Sequence, residues 1–199
     1  MNSSRVFTSE KNFQGFSLVM APFLLSLSTF FWSNGEYSVP SATLIILSMF
    51  FWIPALTGLF ALLKEKMPRY AVYGLWVAVL GCISGVCFAF LGYLATVFNI
   101  SHEVYLKQLA EYPLTSQLLL FATGPLFPLS LMLLGINLIR TGSALIIGLL
   151  IFLGGVAFPA SRILREPLLA HLSDLLLLIP CIMVSFRLVT APNIRSFLL

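Results

Sequence analysis

The sequence predicts an all-α, polytopic integral membrane protein: a bundle of six transmembrane helices. Three observations lead there. The 199 residues are 59% hydrophobic and 9% charged, against about 25% charged in a soluble domain, and mean hydropathy is +1.01. The apolar residues fall into six runs of spanning length, approximately 13–32, 42–63, 70–98, 118–139, 143–160 and 168–189. No Asp, Glu, Lys or Arg sits in the middle of any run, as expected where each such charge costs about 2.5–3.5 kcal/mol. Residues 1–199 therefore read as a single transmembrane domain with short loops.

The first run is longer than a signal-peptide core and no small-x-small cleavage site follows it, so it reads as a span. Asn34-Gly35 and Pro40 mark a turn after it. The second run carries Pro54 and ends at Lys64-Glu65-Lys66-Met67-Pro68-Arg69, the most basic loop. The third run, Tyr70 to Phe98, is the longest and has no proline. It carries Gly74, Ala78, Gly81, Gly85, Ala89, Gly92 and Ala95, at steps of four or three that keep them on one stripe. Small residues let helices approach closely in lipid, so this run is expected to be the central helix.

The longest loop, 99–117, predicts a short interfacial helix capped by Ser101, with Glu103 at its positive end. Leu106, Leu109 and Ala110 share its apolar face, with Tyr105 and Tyr112 beside it. The fourth run contains Gly124-Pro125 and Pro128, the expected break in that helix. Arg140-Thr141-Gly142 is a tight turn, the fifth run ends near Pro159, and Ser161–Pro167 reads as a polar loop. The sixth run closes the bundle, with Pro180 inside it and Arg187 near its end.

The net charge of +4 points to lipid headgroups rather than nucleic acid, because Lys and Arg flank the spans. Arg5, Lys11, Lys64, Lys66, Arg69, Arg140, Arg187 and Arg195 lie on one side of the alternating loops; Lys107, Arg162 and Arg165 lie on the other. This asymmetry places both termini in the cytoplasm, in a membrane of the bacterial plasma (inner) type. Cys82, Cys87 and Cys181 all sit in apolar runs and read as packed thiols.

Two expectations concern ligands. Ser41-Ala42-Thr43-Leu44-Ile45-Ile46 resembles Ser143-Ala144-Leu145-Ile146-Ile147-Gly148 about a hundred residues later. Ala21-Pro22 in the first run has a counterpart in Gly124-Pro125 in the fourth. Two inverted three-helix halves would suit a small carrier, with a cavity at the break formed by Ser84, Thr123, Gly124, Pro125, Pro128 and Asn137. On the outward side, His102, Glu103, His171 and Asp174 make a candidate divalent-metal set, the last two three apart on one helix. A haem held by the two histidines is the other alternative.

Ala170-His171 on the sixth run resembles the histidine helix of rhomboid intramembrane proteases. The Gly-x-Ser-Gly motif of that family is missing, and the fourth run offers only Ser130 within Pro128-Leu129-Ser130-Leu131. Without a positioned serine there is no catalytic dyad, and that activity is excluded. The expectation for function is a non-catalytic membrane protein without a cofactor, either an accessory subunit of a membrane assembly or a binder of lipid or another apolar ligand. Its expected partners are membrane lipids, other membrane subunits or a second copy. A small inverted-repeat transporter and an enzyme using the outward His and acid cluster are the alternatives.

Overall fold

The computed structural model describes residues 3–33 and 36–190, with side chains from residue 9 onward except that of His102. Arg5, the Asn34-Gly35 turn and Arg195 therefore lie outside the described residues or side chains. The elements are α1 (Ser3–Thr29), a two-stranded hairpin β1 (Trp32–Ser33) and β2 (Glu36–Tyr37), α2 (Val39–Ala61), α3 (Pro68–Val97), α4 (His102–Ala110), α5 (Pro113–Ser116), a π-helical turn (Gln117–Phe121), α6 (Leu126–Arg140), α7 (Leu145–Leu164) and α8 (Pro167–Thr190). Pro40, Pro68, Pro113 and Pro167 stand in the first turns of α2, α3, α5 and α8. There a missing N–H costs nothing and the fixed φ suits a helix start.

Five segments are long and apolar enough to cross a membrane: α2, α3, Pro113–Arg140, α7 and α8. The 27-residue α1 is as long but is not in that set. Lys11, Asn12, Gln14 and Ser17 occupy its middle, and Ser26, Ser28 and Thr29 its end. The outer surface is apolar at mid-helix, with Phe23, Leu47, Ile83, Leu133, Leu153 and Ile179 all exposed. A soluble monomer rarely exposes so much contiguous apolar surface, so the exterior is built for hydrocarbon.

The long helices close into an up-and-down ring in chain order. α1 packs on α2, α2 on α3, α3 on α6, α6 on α7, α7 on α8, and α8 returns to α1. Gly15, midway along α1, meets Ser185 and Val189 near the end of α8, and Thr29 at the end of α1 reaches Asp174 early in α8, so those two helices run antiparallel. The inside is filled by side chains: Trp52 stacks edge-on against Phe127, and Phe127 against Phe158, with centroids 5.3 and 5.5 Å apart.

This order corrects the expectation of two inverted halves. Exchanging first with fourth, second with fifth and third with sixth around such a ring is a half-turn about its axis. That operation keeps every helix pointing the same way, whereas the first and fourth run in opposite directions. A twofold axis lying across the ring would reverse the cyclic order instead.

The third helix is also not central: it is the least buried of the five and packs mainly on α2 and α6. Its small residues line that contact. Gly74 faces the Phe60 ring, Gly85 the Met49 side chain and Gly92 the Tyr37 ring. Ala78 and Ala89 are buried and Ala95 half-buried. A Cβ on Gly81 would stand 2.3 Å from the backbone nitrogen of Phe127, so the α3–α6 approach requires glycine there. A long stripe of small residues marks close approach on one edge, not enclosure on all sides.

Candidate functional site

Two polar sites are built into the ring. The first lies at the end that carries the hairpin. The α7 helix does not stop at Pro159; it continues to Leu164, which places Arg162 in its last turn rather than in a loop. Arg165 then caps the helix in the left-handed region at φ 56° and turns the chain into α8. Asp174 sits two turns into α8 and is fully buried. The Arg162 Nη2 donates to both carboxylate oxygens of Asp174, at 3.0 and 3.3 Å, and Nη1 donates to Thr29 Oγ1 at 3.3 Å. That hydroxyl donates in turn to Asp174 Oδ2 at 3.1 Å.

The hairpin covers this pair. α1 ends at Thr29, three residues before the expected Trp32, and so releases Trp32 into β1, where it pairs with Tyr37 of β2. The guanidinium carbon of Arg162 lies 4.8 Å from the Trp32 ring centre and 5.2 Å from that of Phe158, within cation–π range of both. Tyr37 is locked against α3, its carbonyl accepting from Thr96 Oγ1 at 2.9 Å. Burial pushes the Tyr37 phenol above its ordinary value of 10.0, with Arg162 acting in the opposite sense. The phenol is therefore neutral at physiological pH. Ser38 Oγ donates to the Phe31 carbonyl at 2.6 Å, and Arg165 pairs with Glu36 at the hairpin's edge.

Of the residues expected to hold a metal, Asp174 is thus engaged by Arg162 and Thr29. His171 lies against the Phe30 ring, centroids 4.4 Å apart, and Glu103 is exposed on α4. The His102 side chain lies outside those described, which leaves the haem pairing outside them too. Among the described residues no three His, Cys, Asp or Glu are grouped so as to hold a metal ion. On α4, Ser101 Oγ accepts from the Val104 N–H at 3.4 Å. The inward side of α4 is Tyr105 and Leu109, while Leu106 and Ala110 are exposed.

The second site is the interruption between the π turn and α6. Residues 122–125 form a turn between two helical segments. In the π turn the Ala122 N–H donates to the Gln117 carbonyl at 2.8 Å, and Gly124 returns to the ordinary spacing with Leu120 at 2.7 Å. The Leu119 carbonyl is taken up by side chains: Thr123 Oγ1 at 3.0 Å and Ser84 Oγ at 3.4 Å. Thr123 Oγ1 and Ser84 Oγ are 3.0 Å apart. This is the re-satisfaction that a broken helix in hydrocarbon requires. Gly124 makes room for the Phe88 ring, whose nearest carbon would be 2.6 Å from a Cβ there. Pro128 is buried with its carbonyl against Gly155, and Pro125 is exposed. Asn137 does not join them. It lies thirteen residues past Gly124, about 20 Å along a helix axis, and is buried there.

The residues that sequence reasoning missed are Arg162, Thr29, Trp32 and Tyr37. A signal existed: Arg162 follows Pro159 by three residues, within reach of a helix continuing through a tolerated proline, and Asp174 lies seven residues beyond Pro167. No protein-family model, curated protein or solved structure matches this chain. The fold defines the class without a relative: a helical protein with five helices long and apolar enough to span a membrane, compatible with an integral membrane protein.

Proposed function

We propose that the chain is a non-catalytic, multi-pass membrane protein that works by binding, with α3 as its contact surface for a neighbouring membrane subunit or for lipid. The observation that carries this reading is the exposure of α3. Along a 30-residue helix it turns Val72, Tyr73, Trp76, Leu80, Ile83 and Phe90 outward, while its small residues hold α2 and α6 on the other edge. At the hairpin end Arg162 is paired with Asp174 and Arg165 with Glu36. A metal-dependent enzyme would have to take Asp174 from Arg162, and a carrier with inverted halves conflicts with the order of the ring.

In this reading α1 is a sixth span, both termini are cytoplasmic and the hairpin end faces outward. The bias of Lys and Arg toward the opposite loops supports that orientation.

A photoreactive side chain at Leu80 or Ile83, activated in native membranes, is expected to yield a discrete adduct with one polypeptide or one lipid class. The same group at Leu149 on α7, also exposed, is expected to give only diffuse lipid labelling. Identical patterns from the two helices would sink the proposal.

A further inference from the structure

The end of the ring opposite the hairpin carries a second surface. Lys66 Nζ donates to the Thr141 carbonyl at 2.7 Å, which draws the α2–α3 loop onto the α6–α7 turn. Lys66 thereby reaches the turn that follows Arg140, with Lys64 and Arg69 flanking it in its own loop, and all four are exposed. The two loops contribute one acid, Glu65. Among the described residues none of Lys64, Arg69 and Arg140 has an ion-pair partner.

Below this rim the α3 face continues in the same column. Arg69, Tyr73 and Trp76 follow at steps of four and three on one side of the helix, with Tyr73 71% and Trp76 67% exposed. Leu80 and Ile83 extend the face toward the middle of the helix. Cations above, amphipathic rings next and aliphatic side chains beneath repeat the layering of a phospholipid: anionic headgroup, interface, acyl chain.

We infer that this corner binds an anionic phospholipid, its headgroup on Lys64, Lys66, Arg69 and Arg140 and its acyl chains along α3. The inference rests on the reading of α3 as a contact surface and names one ligand class for it. A cluster of four cations beside a span is the minimum that distinguishes an anionic lipid site from ordinary flanking charge. The four here outnumber the one carboxylate of their loops, Glu65, and stand over an unpacked helix face.

The test uses the full chain reconstituted in phosphatidylcholine vesicles that contain a minor fraction of either brominated phosphatidylglycerol or brominated phosphatidylcholine. Bromine quenches nearby tryptophan, and Trp76 is the exposed one of the three, Trp52 being buried and Trp32 half-buried at the other end. Brominated phosphatidylglycerol is expected to quench about fivefold more effectively per molecule, the preference of roughly one well-placed cation or more. Raising the salt concentration on the unaltered protein should shrink that preference. So should the K64Q/K66Q/R69Q/R140Q variant, whereas Lys107→Gln at the hairpin end should not. Equal quenching by the two lipids in the unaltered protein overturns the inference, as does a preference indifferent to salt. Either result leaves the α3 cross-linking outcome standing, so the two proposals fail separately.

Discussion

Replacing Asp174 with alanine is expected to lower stability by about 3–5 kcal/mol, because it leaves the Arg162 guanidinium buried and unpaired. The Arg162 side chain is only 11% exposed and that of Asp174 is fully buried. Neither the Trp32 and Phe158 rings nor Thr29 carries a compensating charge. Arg162→Ala is expected to cost a similar amount by stranding the carboxylate and removing the cation on which the hairpin rests. The double replacement Arg162→Met with Asp174→Leu removes both charges, and it is expected to recover most of the loss, since a well-packed apolar pair often matches a buried ion pair. Thermal unfolding of the detergent-solubilised variants measures all three. If Asp174→Ala unfolds no more readily than Lys107→Gln, the pair does not hold α7, α8 and the hairpin together.

The second large effect is expected where helix backbones touch. A Cβ on Gly135 would stand 2.6 Å from the Gly148 carbonyl oxygen and 2.7 Å from the Phe152 nitrogen, and one on Gly148 would stand 2.8 Å from the Gly135 carbonyl oxygen. These obstacles are backbone atoms and cannot rotate away. Gly135→Ala and Gly81→Ala are each expected to cost about 1–3 kcal/mol, the usual range for overpacking a closed site, and valine at either position more. Gly74→Ala presses instead on the Phe60 ring at 2.7 Å, which can turn aside, so a smaller loss is expected. Gly142→Ala is a contrasting control: nothing lies within 4 Å of its Cβ, but φ is +63°, and the strain of a left-handed alanine is about 1 kcal/mol. Unfolding midpoints that failed to rank the backbone-facing glycines above Gly74 and Gly142 would contradict the packing.

How much of this was legible in the sequence follows from the kind of signal each feature leaves. Apolar runs report solvent, and they located the helices to within a few residues at most ends. The interruption at Gly124-Pro125 was readable because proline removes a donor that hydrocarbon cannot replace. Small-residue spacing on α3 showed that something approaches closely, but not how many neighbours there are; one edge of contact and full enclosure give the same stripe. The ion pair was hidden by a helix end. Ending α7 at Pro159 puts Arg162 in water, whereas continuing to Leu164 puts it against Asp174, and local sequence does not distinguish these outcomes. The partners are twelve residues apart, and their pairing depends on how α7 and α8 pack. The hairpin was equally hidden, since Trp32 continues the apolar run of α1 and leaves it where α1 ends at Thr29, whose hydroxyl bonds Asp174.

The most direct test of the whole account is topology, with reporters placed at the N-terminus, after Lys66 and after Gln108. The account predicts that the N-terminus and Lys66 report from the cytoplasm and Gln108 from the opposite side. That pattern requires α1 to cross the membrane and puts the basic corner and the hairpin end on opposite faces. An N-terminus on the same side as Gln108 would mean that α1 does not cross, leaving five spans. Lys66 and Gln108 reporting from one side would contradict the ring itself.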